Sequence, residues 1–192
     1  YKIDSPVICS PNGVNMMIFK PSEKTREEIL GSLTTKPYEG SGKESAAVPA
    51  AGWDKMVVFV GKFADWKRLD CLLNAAVKYE ERMAKEGHKV ITIVAGSGPL
   101  ESQKLYMDMK NSLGLSSSVF FVGPQPQPVL AKLYTVADVG VFPSYEEPVC
   151  GLDENIFPFA IHPKKHACIE PTDCVCHRWA WFSLNAWRAD RP

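Results

Sequence analysis

What this 192-residue chain lacks is the first guide to what it does. It has no excess of either charge, since 22 Lys and Arg balance 22 Asp and Glu. That excludes a partner recruited by bulk electrostatics, nucleic acid or an anionic membrane surface, and leaves any anion to a few local lysines. No run approaches the roughly 20 apolar residues that span a bilayer. The start, Tyr1-Lys2-Ile3-Asp4, has neither an apolar leader core nor an initiator Met, so it reads as the middle of a longer chain. There is no complete Gly-x-Gly-x-x-Gly: Gly96-x-Gly98 is followed by Glu101 where the third glycine belongs, and no acidic residue ends the next strand. A Gly-Lys-Ser/Thr triphosphate loop is missing too. These gaps count against a dinucleotide oxidoreductase and a nucleoside triphosphatase.

What remains is ordinary globular composition, 45% hydrophobic and 23% charged, at a length for one well-cored domain plus a connecting segment. Residues 1–22 hold a short apolar run and an Asn12-Gly13 turn, and read as a connection. Residues 23–54 shift to Gly, Ser, Pro, Lys and Glu. A short helix is expected over 22–30, without a full capping box at Ser22, and residues 31–52 read as a linker or insertion poor in core-building groups. Over residues 55–152 the periodicity is clear. Met56-Val57-Val58-Phe59-Val60, Val90-Ile91-Thr92-Ile93-Val94-Ala95, Val119-Phe120-Phe121-Val122 and Val139-Gly140-Val141-Phe142 are continuous apolar runs, as strands buried on both faces require. Between them fall helical patterns: Leu69, Leu72, Leu73, Ala76 and Val77, then a seam of Leu105, Met109 and Leu113, then a short helix opened by Pro128. Strand and helix alternating in this way define an α/β parallel sheet with helices on both faces.

In such sheets ligands sit beyond the carboxyl ends of the strands. After the first strand comes Gly61-Lys62-Phe63-Ala64-Asp65-Trp66-Lys67, where Lys62 and Lys67 can converge on an anion near a helix N-terminus. Taken alone, the commoner reading is a solvated loop with surface lysines. Gly96-Ser97-Gly98-Pro99 alone reads best as a strand-to-helix turn. After the fourth strand, Glu146-Glu147 can accept bonds from sugar hydroxyls and Gly151-Leu152 can offer amides to phosphate, although an acidic turn is again the commoner reading.

Taken in order, the motifs resemble a family. Asn12-Gly13-Val14-Asn15 with Phe19-Lys20-Pro21, Gly61-Lys62 with Lys67, Gly96-Ser97-Gly98-Pro99-Leu100, Leu133-Tyr134, Ala137-Asp138-Val139, Pro143-Ser144, and Glu147-Pro148 with Gly151-Leu152 follow one another at family-like spacing. They resemble the C-terminal, Rossmann-like donor-binding domain of retaining GT-B glycosyltransferases, the glycosyl transferases group 1 family (glycosyltransferase family 4). The resemblance implies that Lys62 and Lys67 neutralise the pyrophosphate of a nucleotide-sugar donor, such as a UDP- or GDP-sugar, with no metal and no further cofactor. It implies that Glu147 faces the donor sugar, that Gly151 and Leu152 give amides to the phosphates, and that Gly123 and Pro124 lie against the base. Gly61 and Gly98 are the close-approach positions of the same site. An acceptor (glycan, lipid or small molecule) and an N-terminal acceptor domain are the implied partners, and a cytoplasmic or membrane cytosolic-face location is expected, with organelle targeting left open. A non-catalytic nucleotide-binding module is the alternative.

The resemblance stops in mid-motif. Counting eight positions from Glu147 gives Asn155, and from Glu146 gives Glu154, which makes Glu154 the candidate for the ribose-binding carboxylate. Residues 153–192 show no periodicity and read as a divergent tail, a frameshifted or misspliced end, so that the GT-B half is expected to be incomplete and inactive alone. Three cysteines, Cys9, Cys71 and Cys150, are scattered and read as free thiols. The tail's His162, His166, Cys168, Cys174, Cys176 and His177 raise a zinc site, but Cys-x5-Cys-x-Cys-His is not a knuckle spacing and no metal site is expected.

Overall fold

The computed structural model describes residues 15–144 and 180–183. Its elements are α1 (Arg26–Gly31), β1 (Lys55–Val60), α2 (Leu69–Lys85), β2 (Val90–Ala95), α3 (Leu100–Ser112), β3 (Val119–Gly123), α4 (Gln127–Val136), β4 (Val139–Phe142) and β5 (Ala180–Ser183). The sheet runs β3-β2-β1-β4-β5. The first four strands are parallel, and β5 pairs antiparallel with β4 from Val139↔Ser183 to Phe142↔Ala180. A strand in the tail was not expected. The chain builds outward from β1 to β3 and then crosses to the other side of β1 for β4. The switch point therefore lies between β1 and β4, where open α/β sheets open a crevice for ligands.

β1, β2 and β3 each feed two cores because their side chains alternate in direction. Met56 and Val58 face one core with Ile29, Leu30, Leu33, Val48, Ile91, Ile93, Val122 and Leu133. Val57 and Phe59 face the other with Leu69, Leu72, Leu73, Ala76, Val94 and Phe121. Each fully buried aliphatic side chain contributes about 1.5–3 kcal/mol by leaving water, which is why continuous apolar runs form the middle layer.

Sequence expectations change in three places, the first being the segment 22–52. Residues 31–52 do supply core groups: Leu33 and Val48 are buried, and Thr34 bridges Ala47. The helix before them does have a full capping box, set at Thr25 rather than Ser22. Thr25 Oγ1 accepts the Glu28 N–H at 3.2 Å and Glu28 Oε2 accepts the Thr25 N–H at 2.8 Å. Second, Val77 is 38% exposed. Eight residues after Leu69 the helix has turned about 80° past the buried line, which sets Val77 on its flank. Third, α3 does not bury Leu105, which is 60% exposed, but Tyr106 at 4%. Tyr106 packs edge-on against Phe63, ring centroids 5.8 Å apart, and this larger contact rotates the seam to Tyr106, Met109 and Leu113.

Asp138, in the Ala137-Asp138-Val139 block, fastens the amino-terminal end of the sheet. Its Oδ2 accepts the buried Met56 N–H at 2.7 Å and a guanidinium N–H of Arg26 at 2.8 Å. Arg26 also donates to the carbonyls of Val136 and Asp54, so α1, β1 and the entry to β4 are joined through one carboxylate.

Candidate functional site

The carboxyl ends of β1, β2 and β3 meet in a ledge made of backbone. Gly61 N–H donates to Ala95 O at 3.0 Å, Phe63 N–H to Ser97 O at 3.0 Å, and Gly96 N–H to Gly123 O at 2.9 Å. The strand ends are therefore stitched together past the sheet itself. Glycine is required for this approach. A Cβ on Gly96, whose φ is +142°, would stand 1.8 Å from the Gly61 carbonyl oxygen, and one on Gly98 would stand 2.7 Å from that of Phe63. Gln103 closes the turn by donating to Gly98 O at 2.7 Å.

Lys67 lies on this ledge. It belongs to a single 3-10 turn, Asp65–Lys67, and its stem runs beside Gly61, with Cδ 3.8 Å from where a Cβ there would be. Its ammonium sits 4.3 Å from the Trp66 ring centroid, over the negative face of the indole. The next residue, Arg68, takes a left-handed φ of +50° and N-caps α2, while its guanidinium bonds both oxygens of Asp70 at 3.0–3.1 Å. Among the described residues it is the one non-glycine at positive φ, so backbone strain is concentrated directly after Lys67. Lys62 is exposed on the same loop.

At the far end Gly123 is buried at φ +69° and Pro124 is exposed beside it. A side chain that sequence reasoning missed, Lys36, covers Gly123. Its N–H donates to Phe121 O at 2.8 Å, and its Cβ, Cγ and Cδ lie 3.0–3.1 Å from a Cβ placed on Gly123. No motif marks Lys36; only the pairing of its segment with β3 reveals it. Ser144, to which the sequence gives no role of its own, lies two residues beyond β4, and its Oγ is buried with no hydrogen-bond partner among the described residues.

The structure thus gathers Gly61, Gly98, Gly123 and Lys67 at one edge, with Lys62 and Pro124 on its rim. Glu147, Gly151, Leu152 and Glu154 lie outside the described residues, as do Cys9, Cys150 and the Cys/His group of the tail. Cys71 is buried, its thiol donating to Asp70 Oδ2 at 3.8 Å, and among the described residues no cluster of His, Cys, Asp and Glu is arranged to hold a metal ion.

An open, mostly parallel α/β sheet with a glycine ledge beyond its strand ends is the architecture of a nucleotide-binding half-domain. The chain belongs to the glycosyl transferases group 1 family, whose pattern matches residues 42–151. It is 28% identical over 144 residues to D-inositol 3-phosphate glycosyltransferase of Corynebacterium diphtheriae, covering 75% of this chain and 30% of that protein. With the C-terminal domain of a glycosyl transferase group 1 family protein of Francisella tularensis it shares the fold at TM-score 0.51 and 18% identity, over 70% of this chain and 60% of that one. Sucrose-phosphate synthase of Thermosynechococcus elongatus gives TM-score 0.53 at 23% identity, over 72% of this chain and 29% of that one. The fold is therefore the Rossmann-like half of a GT-B glycosyltransferase, as the sequence led one to expect. The chain spans less than a third of the length of the C. diphtheriae protein and of a Kribbella flavida relative with the same name.

Proposed function

We propose that this chain forms the donor side of a glycosyltransferase active site, binding a nucleotide-diphosphate sugar such as a UDP- or GDP-sugar for transfer with retention and without a metal. The observation that carries the reading is the ledge: strand-end loops drawn together at Gly61, Gly96 and Gly98, with no room for a Cβ on Gly96 or Gly98 and with the Lys67 stem laid against Gly61. A diphosphate resting there meets the ammonium of Lys67 and, from the rim, that of Lys62. As the bond from the anomeric carbon to the diphosphate breaks, negative charge grows on the leaving oxygen, and cations already in place stabilise it without reorganising. Ser144, whose hydroxyl lacks a partner among the described residues, sits at the switch point and suits a polar atom of the donor. In this reading Glu147 faces the sugar, Gly151 and Leu152 give amides to the phosphates, Glu154 holds the ribose, and Gly123 with Pro124 borders the base. The acceptor (glycan, lipid or small molecule) is held by a separate domain, so the chain by itself binds donor without turning it over.

Calorimetric titration with UDP- and GDP-sugars, the bare diphosphates and NAD tests this. Binding of a nucleotide sugar that survives a metal chelator, and that Lys67→Ala weakens roughly tenfold or more, as loss of one charge-assisted bond implies, supports the reading. Donor binding untouched by Lys67→Ala removes the role given to Lys67. Equal affinity for sugar-bearing and bare diphosphates favours a non-catalytic nucleotide-binding module.

A further inference from the structure

Lys67 and Lys36 stand at opposite ends of the same ledge, one against Gly61 after β1 and the other against Gly123 after β3. Two strand spacings separate those ends, about 10 Å at roughly 4.8 Å per strand. That is the scale of a nucleoside diphosphate laid along the ledge, with its charge at one end and its base at the other. The two ends are not equivalent. At β1 the loop is built around a lysine held between a glycine and an indole face, followed by a strained residue that opens a 17-residue helix. The lysine and the amino-terminal end of that helix suit the diphosphate. At β3 the lysine is of another kind. Its main chain is fixed by the bond to Phe121 O, its stem lies against Gly123, and the residue is exposed, which leaves its ammonium two bonds beyond Cδ to reach a ligand.

Resting on the donor-binding reading above, we infer that Lys36 is a specificity-determining residue that contacts the nucleobase and selects bases carrying a keto oxygen. An ammonium has three donors and no acceptor. It can bond the O4 of uracil or the O6 of guanine, whereas adenine presents an amino group at the corresponding place. The ammonium is left facing that donor unpaired, and discrimination comes from the mismatch as much as from the favourable contact. The location also gives the 31–52 segment a function: it carries a recognition group from outside the four-strand parallel unit to the far end of the ledge.

The test compares uridine, guanosine and adenosine diphosphates by calorimetric titration against the full chain and against Lys36→Met, which keeps most of the stem on Gly123 and removes only the charge. Thermal melting without ligand checks that the two fold alike. The expected result is that the full chain prefers uridine or guanosine diphosphate over adenosine diphosphate by about tenfold, the value of one charge-assisted hydrogen bond at a partly exposed site. Lys36→Met should abolish the preference by weakening the keto base, with adenosine diphosphate unchanged within about twofold. Loss of affinity for all three in equal measure would place the diphosphate, not the base, at Lys36 and overturn the inference. An unchanged preference overturns it as well. If no diphosphate binds the full chain, the donor-binding reading fails and takes this inference with it, whereas binding lost in Lys67→Ala but indifferent to Lys36→Met leaves that reading standing and this one refuted.

Discussion

Replacing Gly96 by alanine should disrupt the ledge more than any other single methyl group added at a glycine of positive φ in the described chain. The new Cβ would stand 1.8 Å from the Gly61 carbonyl oxygen. A relaxed carbon–oxygen contact is about 3.3 Å, so the two loops must part by roughly 1.5 Å. Both sides of the clash are backbone, and no rotamer change relieves it. Parting breaks the Gly61 N–H bond to Ala95 O at 3.0 Å and strains the Gly96 N–H bond to Gly123 O at 2.9 Å. Each is worth about 0.5–1.5 kcal/mol, and more if a group is left buried and unpaired. The φ of +142° adds about 1–3 kcal/mol for any residue with a side chain. The total is about 2–6 kcal/mol, a large share of the roughly 5–15 kcal/mol that holds a domain folded. Gly114 is the control: its φ is +75° but nothing lies within 4 Å of its added Cβ. There the left-handed penalty of about 1–2 kcal/mol is partly offset by the lower entropy of the unfolded alanine chain. Urea unfolding followed by tryptophan fluorescence measures both. If Gly96→Ala lowers the midpoint no further than Gly114→Ala does, the backbone contact between the loops is not what shapes the site.

Other perturbations follow from single contacts. Tyr79 Oη and the fully buried Thr92 Oγ1 share a hydrogen bond at 2.5 Å, so Tyr79→Phe should cost about 1–2 kcal/mol by orphaning the threonine; adding Thr92→Val should recover part of it, and strict additivity in the urea-melt cycle would show no coupling. Burial holds the Glu80 carboxyl above its ordinary 4.5, with the Ser118 hydroxyl pulling it back down, so the folded chain binds that proton more tightly than the unfolded chain. Its contribution to stability is therefore greatest at low pH and is lost as pH climbs from 4.5 through the raised folded value; Glu80→Gln should flatten this part of the stability–pH curve, and a parallel fall in the variant would contradict the assignment. Asp138→Ala leaves Arg26 and the Met56 N–H without that acceptor and should cost about 3–5 kcal/mol, with Asp138→Asn, which keeps an acceptor, costing less; equal losses in thermal melts would deny the carboxylate its fastening role.

The fold was largely legible because its signal is redundant. Four apolar runs and the helices between them leave few arrangements other than a parallel sheet covered on both faces. Where the reading slipped, one strong local cue competed with a tertiary one. Leucine outranks tyrosine in hydropathy, so the pattern alone runs the α3 seam through Leu105, although the edge-on contact between Tyr106 and Phe63 sets the helix's rotation. The composition changes at Ser22, where no full capping box can be read, and the box lies three residues on, at Thr25 and Glu28. Leu33 and Val48 escape detection because a polar segment whose apolar residues are mostly alanine has no period to read; they are buried through a bridge between Thr34 and Ala47 that only folding brings together.

The site was legible in its glycines and in Lys67, whose positions are tied to strand ends, and illegible at Lys36 for the same reason. Lys36 owes its place to the bond between its N–H and Phe121 O, a pairing between residues 85 positions apart that no local pattern encodes. The difference has a consequence for how such a site diverges. Groups on the strand-end turns are bound by backbone geometry: Gly96 and Gly98 cannot change without parting the loops, so the diphosphate end of the ledge is fixed by the fold itself. Lys36 reaches its position through main-chain pairing and a flexible stem, and a different side chain there would leave the pairing intact. The ledge thus combines a constrained end with an adaptable one, and discrimination between donors should change first at the adaptable end, where substitution is least costly to folding.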